Sequence, residues 1–390
     1  MKIAFIGHKP AYPKIDGGCV ASAAFLQNLV DANLEVHYLM LCTDKHPFFE
    51  EKFPEDIRNK VTLNAVAIDT TLKPLKAMQN LFSKKSYNVE RFFSEKFVLL
   101  LEQKIKEEQF DAVIFDNVFA ARYLSQFQKN GVKTFVRTHN VEFKIWEDLA
   151  RCKQNPFKKW YLTKLSRDLK NFEINTLKAA DRILSISTDD LKEFEQLGIN
   201  TDGIVVPVGI KTADYMHDYS KTDLFHLGAM NWTPNIEAVD QVISILPEIR
   251  TKLPGITFSI AGKDANYRYS TNEANGIICT GFVSSIETFI KNQGILISPI
   301  QSGSGVRIKV LEMMSYGVPI ITTSLGASGI EDLSGLIIAD SKESMINNVY
   351  ELVNDEKKRI TLGKQAKSVI NLHYNPKTIT DNVLEFITST

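Results

Sequence analysis

Short apolar runs rich in β-branched residues alternate with longer stretches whose apolar positions recur every three or four residues, along almost the whole chain. The short runs at 2–7, 36–41, 62–68, 112–115, 133–138, 182–187 and 203–208 read as a first set of strands, and those at 223–228, 256–261, 277–281, 294–298, 319–323 and 335–338 as a second. Between them, 18–33, 94–108, 161–180, 234–251 and 305–316 carry helical periodicity. Several strand candidates, such as Ile-Leu-Ile-Ser at 295–298, are apolar without alternation, as expected of parallel strands covered on both faces. Strand–helix alternation predicts right-handed crossovers and an α/β fold with doubly wound sheets. So many strands exceed one open sheet, so the expectation is two Rossmann-like domains facing a cleft, where strand carboxyl ends can meet a ligand.

The length of 390 residues supports the same division, being more than one core usually serves. The boundary is expected near Pro207-Val-Gly-Ile-Lys211, giving an N-terminal domain at 1–208, completed by the C-terminal helix 377–390, and a C-terminal domain at 209–376. Basic and acidic residues balance at 46 each, which argues against a protein that coats nucleic acid. The four cysteines and seven histidines are scattered, without the spacing of a zinc site or a disulfide framework. Neither a signal peptide nor an apolar run approaching ~18–20 residues is present, so a cytoplasmic location is expected. The most basic stretch, 151–170, reads either as a solvated helix face or as a contact with an anionic acceptor or a membrane surface.

Ser302-Gly-Ser-Gly-Val-Arg-Ile-Lys-Val-Leu-Glu312 is the most informative stretch. A strand ends in a Gly/Ser loop that is expected to open a helix at about residue 305, while Gly317 stops that helix and Pro319 starts the next strand. Unpaired N–H groups and the positive dipole end of such a helix suit a diphosphate, and Gly303 and Gly305 let the backbone come close. Arg307 and Lys309 place cations at the end of the helix that disfavours them, a conflict that a bound anion would relieve. Gly305, Lys309 and Glu312, spaced four and three apart, would share one face, with the Glu312 carboxylate able to accept from ribose hydroxyls. The alternative is a plain Lys309–Glu312 surface ion pair.

This stretch resembles the donor-binding segment of the family 4 retaining glycosyltransferases (glycosyl transferases group 1), and the resemblance extends over nearly the whole chain. Ile6-Gly-His-Lys-Pro-Ala-Tyr-Pro13 with Asp16-Gly17-Gly18 is similar to the family's first strand and its glycine loop at the donor diphosphate. Arg137-Thr-His139-Asn140-Val-Glu142 resembles its His-containing turn beside the transferred sugar. Phe172-Glu173, 180–187, Gly228–Asn235, Ile260-Ala-Gly262 and Thr280-Gly-Phe-Val283 follow in the family's order. The resemblance implies a GT-B fold and a nucleotide-diphosphate-sugar donor (UDP or GDP) held by the C-terminal domain through Ser304, Gly305, Val306, Glu312 and Val283, and by Gly17 and Gly18. It also implies a glycan, lipid-linked or small-molecule acceptor on the N-terminal side and anomeric retention, with His139, Arg307 and Lys309 as the catalytic set. Asn140, Glu142 and Asp116 are weaker candidates for orienting His139 or contacting the acceptor; Asp116, with His8 and Asp16, reads more simply as a polar loop residue. Ser304 stands where many members have Glu, and the region of Ala229 and Asn235 lacks the usual cations.

No Asp-x-Asp motif sits in a strand-end loop, so transfer without a metal or other cofactor is expected; the resemblance implies a hexosyltransferase and favours bacterial surface-glycan assembly as its setting. A GT-B epimerase or hydrolase and a non-catalytic sugar-nucleotide-binding protein remain the alternatives. A nicotinamide enzyme is disfavoured because the first loop lacks the G-x-G-x-x-G spacing.

Overall fold

The computed structural model describes residues 1–73, 79–81, 83, 85–303 and 305–389. The chain divides into two compact units, Met1–Gly209 with Pro376–Thr390, and Ile210–Asn375. Each is built on one all-parallel sheet, of seven and six strands respectively among the described residues.

In the N-terminal unit the strands are β1 (Lys2–Gly7), β2 (Glu35–Cys42), β3 (Val61–Ala67), β4 (Ala112–Asp116), β5 (Lys133–Thr138), β6 (Arg182–Ser185) and β7 (Gly203–Val205). Their order across the sheet is β3-β2-β1-β4-β5-β6-β7. Apolar runs without alternation arise because both faces are buried. Ala4, Ile6, Leu39, Val113, Phe115 and Val136 feed one core, whereas Ile3, Phe5, Tyr38, Ile114 and Phe135 feed the other. The second core is closed by the helix Gly17–Asp31 and by the last helix, Pro376–Thr388, through Ile379, Val383 and Ile387. That last helix is held at its end by Arg182, whose guanidinium lies 4.4 Å from the Phe386 ring centre and donates to the Phe386 carbonyl.

The C-terminal unit repeats the design with β8 (Leu224–Leu227), β9 (Phe258–Ala261), β10 (Ile277–Gly281), β11 (Ile295–Ser298), β12 (Ile320–Thr322) and β13 (Ile337–Ile338), ordered β10-β9-β8-β11-β12-β13. Leu224, Phe258, Ile260, Ile295 and Ile297 face one core, and Phe225, Leu227, Ala261 and Leu296 the other. In each sheet the strand order reverses once in the middle, between β1 and β4 and between β8 and β11. Such switch points open a crevice at the strand carboxyl ends.

The expected strands all form, with 203–208 shortened to Gly203–Val205. Two helix starts differ from expectation. The long helix begins at Pro156 rather than 161, because Asn155 caps it and proline suits its first position. The helix expected to open at 305 begins at Ile308, because Gly303 and Gly305 adopt φ of 89° and 82° and the chain is not yet helical there. Gly305 therefore lies outside the helix that carries Lys309 and Glu312. The same helix ends as its glycine implies: Gly317 (φ 73°) donates to the Met314 carbonyl and Val318 to the Met313 carbonyl.

The glycines at the ends of β8, β9 and β10 are explained by packing alone. Gly262 has φ 132°, and a Cβ there would lie 1.9 Å from the Gly228 carbonyl oxygen. Gly262→Ala is expected to lower unfolding free energy by about 3 kcal/mol or more, from strain and overlap together. Gly255→Ala, where a Cβ meets nothing within 4 Å, is expected to stay within about 0.5 kcal/mol. Urea unfolding of the two variants beside the parent protein measures the difference.

Candidate functional site

At the switch point of the N-terminal sheet, Gly7, Asp116 and Arg137 form one row, since Gly7 pairs with Asp116 and Asp116 with Arg137 in register. Their position places the two charged side chains on the face covered by the helix Gly17–Asp31. Arg137 is fully buried and lies 4.7 Å from the Phe25 ring centre, and Asp116 is buried beside it. The Asp116 Oδ1 accepts from Arg137 Nη1 at 2.7 Å and meets His139 Nε2 at 2.7 Å, while Ser22 Oγ donates to Oδ2. Asp116 is therefore no loop residue: it is the common acceptor of the site. Burial alone would push its carboxyl up, but the neighbouring His139 and Arg137 and the Ser22 hydroxyl outweigh it and hold the group well below the usual carboxylate range.

This arrangement determines the His139 tautomer. Arg137 Nη1 stands 2.9 Å from His139 Nε2, yet a guanidinium cannot accept and an ionised carboxylate cannot donate. Both nitrogens must then donate to the same oxygen, so Nε2 carries a proton and the contact between them is only convergence. Nδ1 has no hydrogen-bond partner among the described residues. His8 follows the opposite course. Burial, helped by the neighbouring Lys9 and His139, pulls it down to about 3, and its neutral ring rests against Phe92 and Phe119 with Nδ1 3.3 Å from the Asp116 carbonyl oxygen.

Glu142, the first residue of the helix Glu142–Arg151, is buried and accepts from Asn117 Nδ2 at 2.8 Å; burial pushes its carboxyl up. Asn140 is half-buried beside it. No side chain of its own caps this helix. Glu173, from the helix Pro156–Ala179, reaches across instead and accepts from the N–H groups of Glu142 and Phe143, both at 3.1 Å. Glu173 is completely buried, and burial first, then the Glu142 charge, pushes it up to about 8 against those two hydrogen bonds.

Gly17 and Gly18 open the helix that Asp16 caps, with Cys19 N donating to Asp16 Oδ1 at 2.9 Å. The chain continues to the buried row, since Ser22 Oγ, whose one proton is directed at Asp116, also lies 2.9 Å from the Gly18 carbonyl oxygen. A Cβ on Gly18 would lie 2.7 Å from Lys9 Nζ, so the lysine lies close over the glycine and its flexible end would have to move aside for a side chain there. Lys9 pairs with Asp16 at 2.7 Å, and His46 lies 2.8 Å from the other oxygen. Asp16, Cys19 and His46 are close enough to share a cation, but the Lys9 ammonium already supplies that charge. Glu35, His37 and Glu108, a second such group, lie at the amino edge of the sheet around Lys2.

In the C-terminal unit the loop after β11 carries the second group of expected residues. Ser304 lies outside the described residues. Gly305 and Val306 approach the helix Ile308–Ser315, whose first turn has no side-chain cap. Arg307 is buried and turned back onto its own loop: its Nη2 donates to the carbonyls of Ser302 (3.2 Å) and Gly303 (2.8 Å), and the group lies 5.5 Å from the Trp232 ring centre. Burial pulls its pKa below the usual value. Lys309 and Glu312 form the plain alternative weighed above, an ion pair at 3.0 Å with both side chains partly exposed. Val283 and Val306 lean on the same core. In the glycine-stepped loops beside them, Asn235 Nδ2 donates to the Ala229 carbonyl, and Lys263 follows Gly262 at the end of β9.

Sequence reasoning missed Lys9, Ser22 and Asn117 as parts of the site and assigned no role to Arg137. Arg137 and Asn117 do carry a signal: a strand with an internal arginine, and a strand end followed by asparagine, which here takes φ 94°.

Residues 221–355 match the family described as glycosyl transferases group 1. An uncharacterized 44.6 kDa protein in the cps region of Klebsiella pneumoniae is 22% identical over 300 residues, covering 71% of this chain and 74% of that one. Among solved structures, HepE of Anabaena in complex with UDP superposes with a TM-score of 0.68 at 12% identity, with both chains covered completely. WaaG, a glycosyltransferase involved in lipopolysaccharide biosynthesis, gives a TM-score of 0.66 at 15% identity, again over the whole of both chains. The chain has the GT-B fold, and the match to the group 1 family falls within its C-terminal unit.

Two outcomes follow from the buried row and the buried cap. Asp116→Ala leaves a guanidinium buried without its carboxylate and is expected to cost about 3–5 kcal/mol in urea unfolding. The Glu173 carboxyl is raised from 4.5 to about 8, so its proton favours the folded state, and that contribution is lost as pH rises from 4.5 through 8. Glu173→Gln, neutral throughout, is expected to gain on the parent protein across that window when unfolding is measured at each pH.

Proposed function

We propose that the protein is a retaining glycosyltransferase that moves a sugar from a nucleotide-diphosphate donor to a glycan or lipid-linked acceptor in surface-polysaccharide assembly. The observation that carries this reading is the uncapped helix Ile308–Ser315 within the matched group 1 segment, at the carboxyl end of β11 beside the strand-order reversal. In its first turn the Ile308 and Val310 N–H groups are taken by the Val306 and Arg307 carbonyls, while the Lys309 N–H has no partner among the described residues; that N–H and the Lys309 ammonium can meet a diphosphate. The Lys309–Glu312 pair is partly exposed and worth well under ~1 kcal/mol, so a ligand can part it cheaply, with phosphate taking Lys309 and ribose hydroxyls taking Glu312. UDP in HepE and the lipopolysaccharide setting of WaaG support the donor class and the process.

Breaking the glycosyl–phosphate bond builds negative charge on the leaving diphosphate and positive charge on the anomeric carbon. In this reading backbone N–H groups and Lys309 meet the first charge. Arg307 adds its field while shaping the 302–303 turn, and its clasp on those carbonyls makes positioning its main part. His139 contributes through Nδ1, as the acceptor for a sugar hydroxyl, held by Asp116. Gly17, Gly18 and Lys9 extend the anion-binding surface in the N-terminal unit, and Asn140 and Glu142 border the acceptor. The raised Glu142 carboxyl is the one observation that favours an epimerase or hydrolase, which needs a base near the sugar. Its engagement by Asn117 counts against that use.

Calorimetric titration with UDP and GDP, with and without Mg²⁺, tests the donor site. One nucleotide is expected to bind without metal, and Lys309→Ala to weaken it roughly tenfold to a hundredfold. Binding indifferent to Lys309→Ala and Glu312→Ala would refute the placement of the diphosphate. His139→Ala is expected to keep nucleotide affinity and lose roughly a hundredfold in turnover. Rapid release of epimer or free sugar without acceptor would replace transfer with the alternative reaction.

A further inference from the structure

The helices Glu142–Arg151 and Pro156–Ala179 form an antiparallel hairpin whose tip is unlike the rest of the N-terminal unit. Every residue from 151 to 160 is exposed. Phe157 and Trp160, three apart on one helix face, are 82% and 59% exposed, and Leu149 is exposed at the end of the preceding helix. From 149 to 167 there is no Asp or Glu, while Arg151, Lys153, Lys158, Lys159, Lys164 and Arg167 all fall there. The acids that face the tip are accounted for: Glu147 and Asp148 pair with Arg151, and Asp168 pairs with Lys164. Lys153, Lys158 and Lys159 have no ion pair among the described residues.

We infer that this tip docks on an anionic phospholipid surface. Aromatic side chains flanked by lysines suit the headgroup boundary, where rings enter the acyl edge and ammonium groups meet phosphates. A second copy of the chain is a poor occupant, because a two-fold contact would set the same cations against each other. A soluble polyanion would use the lysines but leave Phe157 and Trp160 in water. The surface is tied to the candidate site by the helix Glu142–Arg151, ten residues long, or about 15 Å at the usual rise. Docking would thus hold the His139 turn near substrates carried on lipid. The inference stands on the surface alone and does not require the proposed transfer reaction.

Co-flotation with vesicles of phosphatidylglycerol and phosphatidylcholine in equal parts, against phosphatidylcholine alone, tests it. Binding is expected only to the anionic vesicles, to weaken with salt, and to shift Trp160 emission to shorter wavelength, a shift absent in Trp160→Phe. Replacing Lys153, Lys158 and Lys159 by Gln is expected to weaken binding roughly a hundredfold, about fivefold per cation. Phe157→Ser with Trp160→Ser is expected to weaken it at least about tenfold, with thermal unfolding unchanged because these side chains are exposed. His139→Ala should bind vesicles as the parent protein does, which separates this surface from the fate of the transferase reading. Equal binding by parent and variants, or equal binding to neutral vesicles, overturns the inference. So does binding to heparin without binding to vesicles, which would assign the lysines to a soluble polyanion.

Discussion

A buried carboxylate with three side-chain partners governs the N-terminal unit. Asp116 ends the strand next to the switch point, and its two oxygens engage Arg137, His139 and Ser22. Sealing such an ion pair away from solvent costs several kcal/mol per charge, and only complete hydrogen bonding offsets it. The strand register must therefore hold Asp116 and Arg137 side by side, and the helix Gly17–Asp31 must supply Ser22 from above. Gly7 completes the row from the other side, where a Cβ would meet Tyr38 and the Lys9 carbonyl at 2.8–2.9 Å. Once these conditions are met, the orientation and tautomer of His139 follow without further adjustment.

The same logic of remote support appears one turn later in the chain. The helix that begins at Glu142 lacks a cap of its own and takes one from Glu173, thirty-one residues on and in the next helix. A buried carboxyl at a helix start would usually be favoured in its charged form by the dipole. Here burial and the nearby Glu142 win, and the group holds its proton into the neutral range. The two helices are thereby locked at their base, while their far ends carry the exposed lysines and aromatics. One hairpin thus joins a buried chemical site to a surface of quite different character.

The C-terminal unit reaches its arrangement by backbone geometry rather than by a buried charge. Gly262 lets its loop lie against the Gly228 backbone, and Gly228 and Gly281 make room for the Asn235 and Asn266 side chains, at distances no Cβ permits. Arg307 then clasps the 302–303 turn and stacks on Trp232, setting the approach to a helix whose first turn has no side-chain cap. Packing accounts for the three strand-end glycines, so their presence in the sequence is no evidence for a ligand. The donor-site proposal rests instead on the helix start without a side-chain cap and on the partly exposed Lys309–Glu312 pair.

Strand positions, their parallel pairing and the presence of two α/β sheets were legible in the chain, because burial on both faces writes itself as apolar runs and crossovers as helical spacing. The glycine loop before Ile308 was legible too, but the start of its helix was not. Positive φ at Gly303 and Gly305 interrupts a periodicity that the side chains alone would continue. Asp116 looked like a polar loop residue because its partners lie 21, 23 and 94 positions away. The capping role of Glu173 was hidden for the same reason, its partners lying 31 and 30 positions away. Local pattern determines where the backbone pairs and turns, since those preferences act over a few residues. Which charges are buried together, and which nitrogen of His139 is free, depends on contacts between distant segments and is decided only when the sheet and its covering helices close around them.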